Sequence, residues 1–476
     1  MQKSFSSFFA RLFIFTALYG LLTPALAQSD LIMGTQPGLL QSQFRINPAF
    51  TADEKLTIAI PPLLPPFPFP SFGFSISNST FALSDIIKPG SNGTTLIDVR
   101  SWLDNARSMN SFCASLQMDF LSAGIRINDR HYISLHAGNR VEMNFEYSRD
   151  MLSLLIEGNG AGDIIGTEQN PEIYVDGIHY TSIGVGYSTS LMNARLRTGI
   201  RLERLTGQEH LKSERSETSL YTDPIDFSIR GSADILLRTS GLDNGFFQGE
   251  SPSTGRYLLN SGNNGWSVDA GFQYAINDKW LVAAALNDLG FIRWNKDIRS
   301  YSSKEPGANI EFSGVDVFDY SDDSISVEEA FEELTDSLKS RFDLIENTDA
   351  YTSMLNMRTT TSVTFRINKK QSASLLINNR IFNRRLHPDI SLSYSIAAGR
   401  WLKASLAWSI IDRNAGNLGM LLSINPGPFQ WYICSDNILG LLYYDRYQKI
   451  PIPAYTRYAG FCLGFNLTLG KTKVAE

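Results

Sequence analysis

The chain has 476 residues, 12% of them aromatic, and a formal net charge of −6. No strongly basic face is implied, which argues against nucleic acid as a partner. That length ordinarily means two or three soluble domains, unless it is spent on one closed sheet of many strands.

The first 27 residues read as a secretory signal peptide. Lys3 and Arg11 supply the positive region, Leu12 to Leu22 the apolar region, and Ala25-Leu26-Ala27 the cleavage site before Gln28. Removing the two basic residues takes the charge from −6 to −8. The rival reading is an uncleaved anchor helix. No Cys follows the site, which argues against a lipid anchor. No later apolar run reaches the roughly 18 residues of a transmembrane helix. The mature chain is therefore expected either to be soluble outside the cytoplasm or to form a barrel in an outer membrane.

Residues 28–110 read as an N-terminal, plug-like hatch segment. Asn47-Pro48-Ala49-Phe50 is a rigid turn, because Pro fixes φ and the Asn side chain bonds nearby backbone. A short strand, Leu56 to Ile60, follows. Pro61 to Pro70 is too proline-rich for a central strand or a helix interior. It reads as a stiff extended segment, lying on the barrel or serving as a partner-facing linker. A second short strand covers Phe72 to Ile76 and a helix Ser101 to Met109.

From residue 111 the pattern changes to long period-two segments. Phe112, Ala114, Leu116, Met118 and Phe120 oppose Ser115, Gln117 and Asp119; Val141, Met143, Phe145 and Tyr147 oppose Glu142, Asn144 and Glu146. Ile183, Val185 and Tyr187 oppose glycine and serine. Leu196, Thr198, Ile200 and Leu202 oppose Arg195, Arg197, Arg201 and Glu203. Trp266 to Ile276 and Trp280 to Leu289 flank the turn Asn277-Asp278-Lys279. One segment breaks the alternation. Ser326 to Ile345 carries Val327, Phe331, Leu334, Leu338, Phe342 and Ile345 on a helical stripe, with five acids near its N-terminal half. It reads as an amphipathic helix (326–345) in a long inter-strand connection, docked on the barrel.

Alternation is clearest towards the C-terminus. Ile390 to Ile396, Leu402 to Ile410, Leu418 to Ile424 and Phe461 to Leu469 each place apolar residues on one face and small polar ones on the other. The fold class is all-β. The expectation is a transmembrane antiparallel β-barrel over 111–470, of about 14 strands within a range of about 12–18, followed by a polar tail, 471–476. A soluble sandwich or solenoid is the rival architecture.

Chemistry-bearing motifs are absent: there is no nucleophile elbow, zinc-protease motif or phosphate loop. No catalytic, cofactor or metal site is expected, and the chain does not read as an enzyme. The five histidines lack metal-ligand spacing, and His136 and His179 are the best-placed bases. By alternation Cys113, Cys434 and Cys462 share the polar face. Either Cys434 and Cys462 pair as a disulfide or all three stay free. The candidate lumen-lining residues are Glu142, Glu146, Arg195, Arg197, Arg201, Glu203, Arg366 and Lys403. They form either a paired network filling the lumen or a polar track guiding a solute.

Asn47-Pro48-Ala49-Phe50 resembles the Asn-Pro-Ala motif that leads the chain into FadL-type barrels and into Bacteroidota barrels linked to type IX secretion. Leu386-His387-Pro388, Gly399-Arg400-Trp401-Leu402, Asn417-Leu418-Gly419, Gly427-Pro428-Phe429-Gln430 and Ser435-Asp436-Asn437 follow in order. That succession resembles a Bacteroidota outer-membrane family known only as a domain of unknown function. The resemblance implies a FadL-like or PorV-like barrel in the outer membrane of a Gram-negative bacterium, in contact with its lipid. It further implies either a channel that binds or passes a hydrophobic or amphipathic small molecule, or a scaffold for a secretion, surface-attachment or gliding partner. The channel reading calls for an apolar pocket near residues 47 to 70.

Overall fold

The computed structural model describes residues 34, 38–40, 42–59, 70–89, 95–242, 262–304, 309–312, 344–399, 401–439, 445–447, 450–452 and 456–471. The signal peptide (1–27), residues 61–69 of the proline-rich run, residues 326–343 of the expected helix and residues 472–476 of the tail lie outside the described residues.

Strands β1 (Glu54–Ala59) and β2 (Ser71–Asn78) open the wall; β3 (Ile87–Pro89) and β4 (Thr95–Ile97) pair with each other outside it. Then come β5 (Met109–Arg126), β6 (His131–Ser148), β7 (Ile173–Leu191), β8 (Leu196–Thr222), β9 (Ile229–Ser240), β10 (Asn263–Ala275), β11 (Trp280–Trp294), β12 (Ile298–Ser303) and β13 (Asn309–Phe312). The second half comprises β14 (Leu344–Asn347), β15 (Tyr351–Met354), β16 (Arg358–Arg366), β17 (Gln371–Phe382), β18 (Arg385–Ala398), β19 (Leu402–Ile411), β20 (Asn414–Ile424) and β21 (Phe429–Ser435). A small pair, β22 (Asp445–Tyr447) and β23 (Ile450–Ile452), precedes β24 (Tyr458–Lys471). The longer helices, α1 (Val99–Asn105) and α2 (Arg149–Glu157), sit in connections, as does a single helical turn, Leu83–Ile86.

The sheet closes on itself, because β24 pairs with β1 and β2, and both of these pair with β5. Neighbours are antiparallel throughout, giving a closed barrel of 14 strand positions. The residue distribution is that of a membrane barrel. Large apolar side chains point outward and stay exposed, Val185 at 55%, Leu392 at 54% and Leu406 at 52%, while their inward neighbours Ser391, Ser405 and Ser409 are buried. A soluble sheet would bury the large residues instead. Tight turns join β5 to β6, β7 to β8, β10 to β11, β16 to β17 and β20 to β21 at one end, and the longer connections lie at the other.

Two wall positions are occupied by broken strands. Ala59 faces Ser122 and Asn466, and Ser71 faces Asp119 and Gly464. β2 therefore resumes at nearly the height at which β1 ends, and the two together fill one wall position. Likewise β9 ends with Ser240 opposite His210, and β10 resumes with Asn263 opposite Gly207. Beyond that level β8, β9 and β12 continue as an extension at the long-loop end.

Three expectations are corrected. The wall begins at Glu54 rather than at residue 111, since β1 and β2 are short but complete the ring. The helix expected over Ser101–Met109 spans Val99–Asn105, capped by the Asp98 side chain, and Met109 already starts β5. Ile345, the last residue of the expected amphipathic helix, lies in β14, paired with Ser302 of β12.

Candidate functional site

The lumen is crossed by the described N-terminal residues. At one wall Leu39 and Leu40 pack with Ala407, Leu421, Tyr432 and the disulfide formed by Cys434 and Cys462, which face each other across β21 and β24. Lys403 donates to the Gly38 carbonyl, and Gln430 Nε2 donates to that of Leu39. A 3-10 turn, Gln43–Arg45, carries the chain across. At the opposite wall Asn47 Nδ2 donates to the Ala284 carbonyl at 3.1 Å, Asn287 Nδ2 to that of Ile46 at 3.0 Å, and Ser188 to that of Pro48. Asn47 Oδ1 also accepts the Ala49 N–H at 2.9 Å, fixing the turn.

The landing place is a pair of glycines. Gly199 of β8 and Gly271 of β10 are direct cross-strand partners facing inward. A Cβ on Gly199 would lie 2.2 Å from the Pro48 carbonyl oxygen, and one on Gly271 would lie 2.0 Å from Asn47 Oδ1. Any side chain there would displace the segment.

Charges tie the segment to the wall. Arg45 pairs with the buried Asp119 of β5, which also accepts from Ser71. Arg201 of β8 pairs with Asp269 and, at 3.0 Å, with Glu203, and donates to the carbonyls of Phe44 and Arg45 at 3.1 Å each. Asp269 accepts the backbone N–H of Asp288, whose own carboxylate is held by Arg140 at 3.0 Å and Arg358 at 2.8 Å. Taking one member out of such a set leaves a buried charge without its partner, which costs several kcal/mol.

Above this network, towards the long loops, lies a cavity of about 100 Å³. Phe382, Ile411 and Tyr458 give it an apolar side; Arg358, Arg380, Glu142, Asp389, Asn144 and Asn378 give it a polar one. Arg358 and Arg380 are direct cross-strand neighbours of like charge. Each is answered by a carboxylate, Asp288 for Arg358 and Asp389, at 3.4 Å, for Arg380. Cys113, the free cysteine, lines the same cavity. The two walls meet over it: Asp412 accepts from Ser77 and Ser111, and Glu146 accepts from Asn383 at 3.1 Å and pairs with Arg385 and His387 at 3.3 Å each.

Of the candidate lumen residues, Arg201 and Glu203 sit in the central network, Glu142 lines the cavity 3.6 Å from Arg140, and Glu146 binds the facing wall. Arg197 is half-buried and donates to Ser190 at 3.2 Å. Lys403 holds the crossing segment. One placement is corrected. Arg195 lies in the exposed turn between β7 and β8, because Met192, Asn193 and Ala194 all take positive φ and end the alternation early. Arg366 shares the inward face of β16 with Ser362 and Thr364 and lies exposed at the tight-turn mouth, where the strand ends. The cavity is also neither apolar nor beside residues 47–59 or 70. His179 is engaged by Glu209 at 3.2 Å and Asn139 at 3.1 Å.

Asp269 was legible as an inward position of its strand. Asp288 was not, because it sits at an irregularity of the β10–β11 ladder with φ of 62°, where alternation fails. Arg45 carried no signal, since no periodicity surrounds it.

A model of a family of unknown function, DUF5723, matches residues 48–436. No curated protein matches the chain in sequence. Solved barrels are similar in architecture. One is the TodX deltaS2S3 mutant monoaromatic hydrocarbon channel, with 10% identity, covering 95% of this chain and 99% of that one, at a TM-score of 0.41. The P. putida toluene transporter TodX is 9% identical over 92% of this chain and 97% of that one, at 0.38. A Pseudomonas aeruginosa FadL homologue is 8% identical over 95% and 98%, at 0.37.

Proposed function

The chain belongs to the family of unknown function DUF5723, and we propose that it is a Gram-negative outer-membrane barrel that binds and passes a small amphipathic molecule through its lumen. The observation that carries this reading is the lumen cavity of about 100 Å³ with one apolar and one polar side. A wholly apolar solute would desolvate Glu142, Arg358 and Arg380 without compensation, whereas a solute with a polar head meets both sides. The crossing segment gives the lumen a hatch at its tight-turn end, which is the periplasmic end in barrels of this kind.

The test is native mass spectrometry of the full chain extracted gently from its own membrane, with an organic extract of the same sample. The expected result is one small molecule per barrel carrying both polar and apolar parts, and its loss when Ser115→Phe fills the cavity. An empty barrel with a stoichiometric protein partner would replace this reading by that of a scaffold. One observation favours the scaffold as a second reading: the β8–β9 hairpin ends in Ile225, 88% exposed, and Phe227, 61% exposed and at positive φ.

A further inference from the structure

We propose that the periplasmic vestibule of the barrel is a binding site for a soluble multivalent anion, a phosphate ester. The site is a second cavity, of about 520 Å³, at the tight-turn mouth. Lys279, Arg366, Lys369, Lys370 and Lys403 line it, against the single carboxylate of Asp278. Lys403 donates to the Gly38 carbonyl. The side chains of Lys279, Arg366, Lys369 and Lys370 have no carboxylate within salt-bridge distance among the described residues.

The fold brings these cations together without needing them. The β10–β11 turn is held by Asn277 Oδ1, which accepts the N–H groups of Lys279 and Trp280 at 2.9 Å each. The β16–β17 turn is held by Asn368 Oδ1, which accepts the Lys370 N–H at 2.8 Å. The Arg366 N–H donates to the Lys279 carbonyl at 2.8 Å and fixes one turn against the other. Backbone and asparagine side-chain groups therefore set the geometry of the two turns; of the lysines only Lys403 makes a structural bond, to the Gly38 carbonyl. Like charges gathered around a concave mouth focus their field and raise the local concentration of anions. Four lysines suit the spherical charge of a phosphoryl group, while the lone arginine offers a two-pronged contact.

The cavity spans the rim, with the outward Ile367 and Ile396 on one side and inward-facing serines on the other. Its walls include the buried, inward-facing Ser372 and Ser395, and its floor is Gly38 and Leu39 of the crossing segment. A phospholipid headgroup would share the phosphoryl chemistry, but it would have to arrive from the outer side of the rim. This site is independent of the proposed solute cavity and stands or falls without it.

The test is calorimetric titration of the purified full chain, in a non-ionic detergent at low ionic strength, with inorganic pyrophosphate as the probe. One saturable site per barrel is expected, weakened about tenfold or more in Lys369→Gln/Lys370→Gln and unchanged in Lys55→Gln on another part of the rim. Added salt should weaken it steeply. Titration without saturation, or equal affinity in the double variant, would overturn the proposal. So would phosphatidylglycerol that stays bound through purification and blocks pyrophosphate, because the anion would then be a lipid.

Discussion

Gly199 and Gly271 show how much one atom decides in this barrel. Both face the lumen, and the Asn47-Pro48 turn lies directly on them. Gly271→Ala is expected to lift that turn, and limited trypsin digestion reads this as new cleavage after Arg45, which the wild type protects. Gly160→Ala, with nothing within 4 Å of its added carbon, should leave the digest unchanged. Arg201 acts by charge instead. Arg201→Met would leave Asp269 and Glu203 without their cation and two carbonyls of the segment without their donor. The expected loss is about 3–5 kcal/mol, seen as a lower temperature of the heat-induced mobility shift on gels. Equal stability of the variant would mean that solvent already screens the pair. At this scale sequence reading reached the residues that alternate, Arg201 and Glu203, and missed Arg45 and Asp288. Their inward placement comes from a non-periodic crossing and a ladder irregularity, neither of which leaves a pattern.

The elements differ in how plainly they announce themselves. Strands such as β18, β19 and β20 keep a strict period of two, because lipid on one side and a polar lumen on the other select opposite residue types. The first wall position was harder to see. β1 and β2 are each too short to read as a spanning strand, and only their registers against β5 and β24 show them to be two halves of one. The disulfide belongs to this scale too. It joins β21 and β24 beneath Leu39 and Leu40, 28 residues apart in sequence. Loop-closure entropy sets its contribution at roughly 3–4 kcal/mol at most, so Cys434→Ser/Cys462→Ser should lower the same gel-shift temperature while the barrel still assembles. The β8–β9 hairpin makes the scaffold reading testable. At about 3.3 Å per residue, β8 beyond Gly207 is roughly 50 Å of strand, and the turn after it carries exposed Ile225 and Phe227. Ile225→Ser/Phe227→Ser should leave ligand content unchanged, as read by native mass spectrometry. Loss of a co-purifying protein in that variant would instead support the scaffold.

At the scale of the whole molecule, the chain builds a closed wall and then fills it. Contacts between Asp412 and Ser111 and between Glu146 and His387 bring opposite walls together at the long-loop end. At the other end the segment from Gly38 to Ala52 passes from the β19–β21 side to the β8–β10 side. On the proposed reading this segment shuts the lumen at rest and opens it by leaving. Single-channel conductance in planar bilayers tests that most directly. The wild type is expected to be quiet and Gly271→Ala, where the segment has lost its seat, to conduct steadily. Steady conductance of the wild type, as from a water-filled pore, or a variant as quiet as its parent, would contradict it.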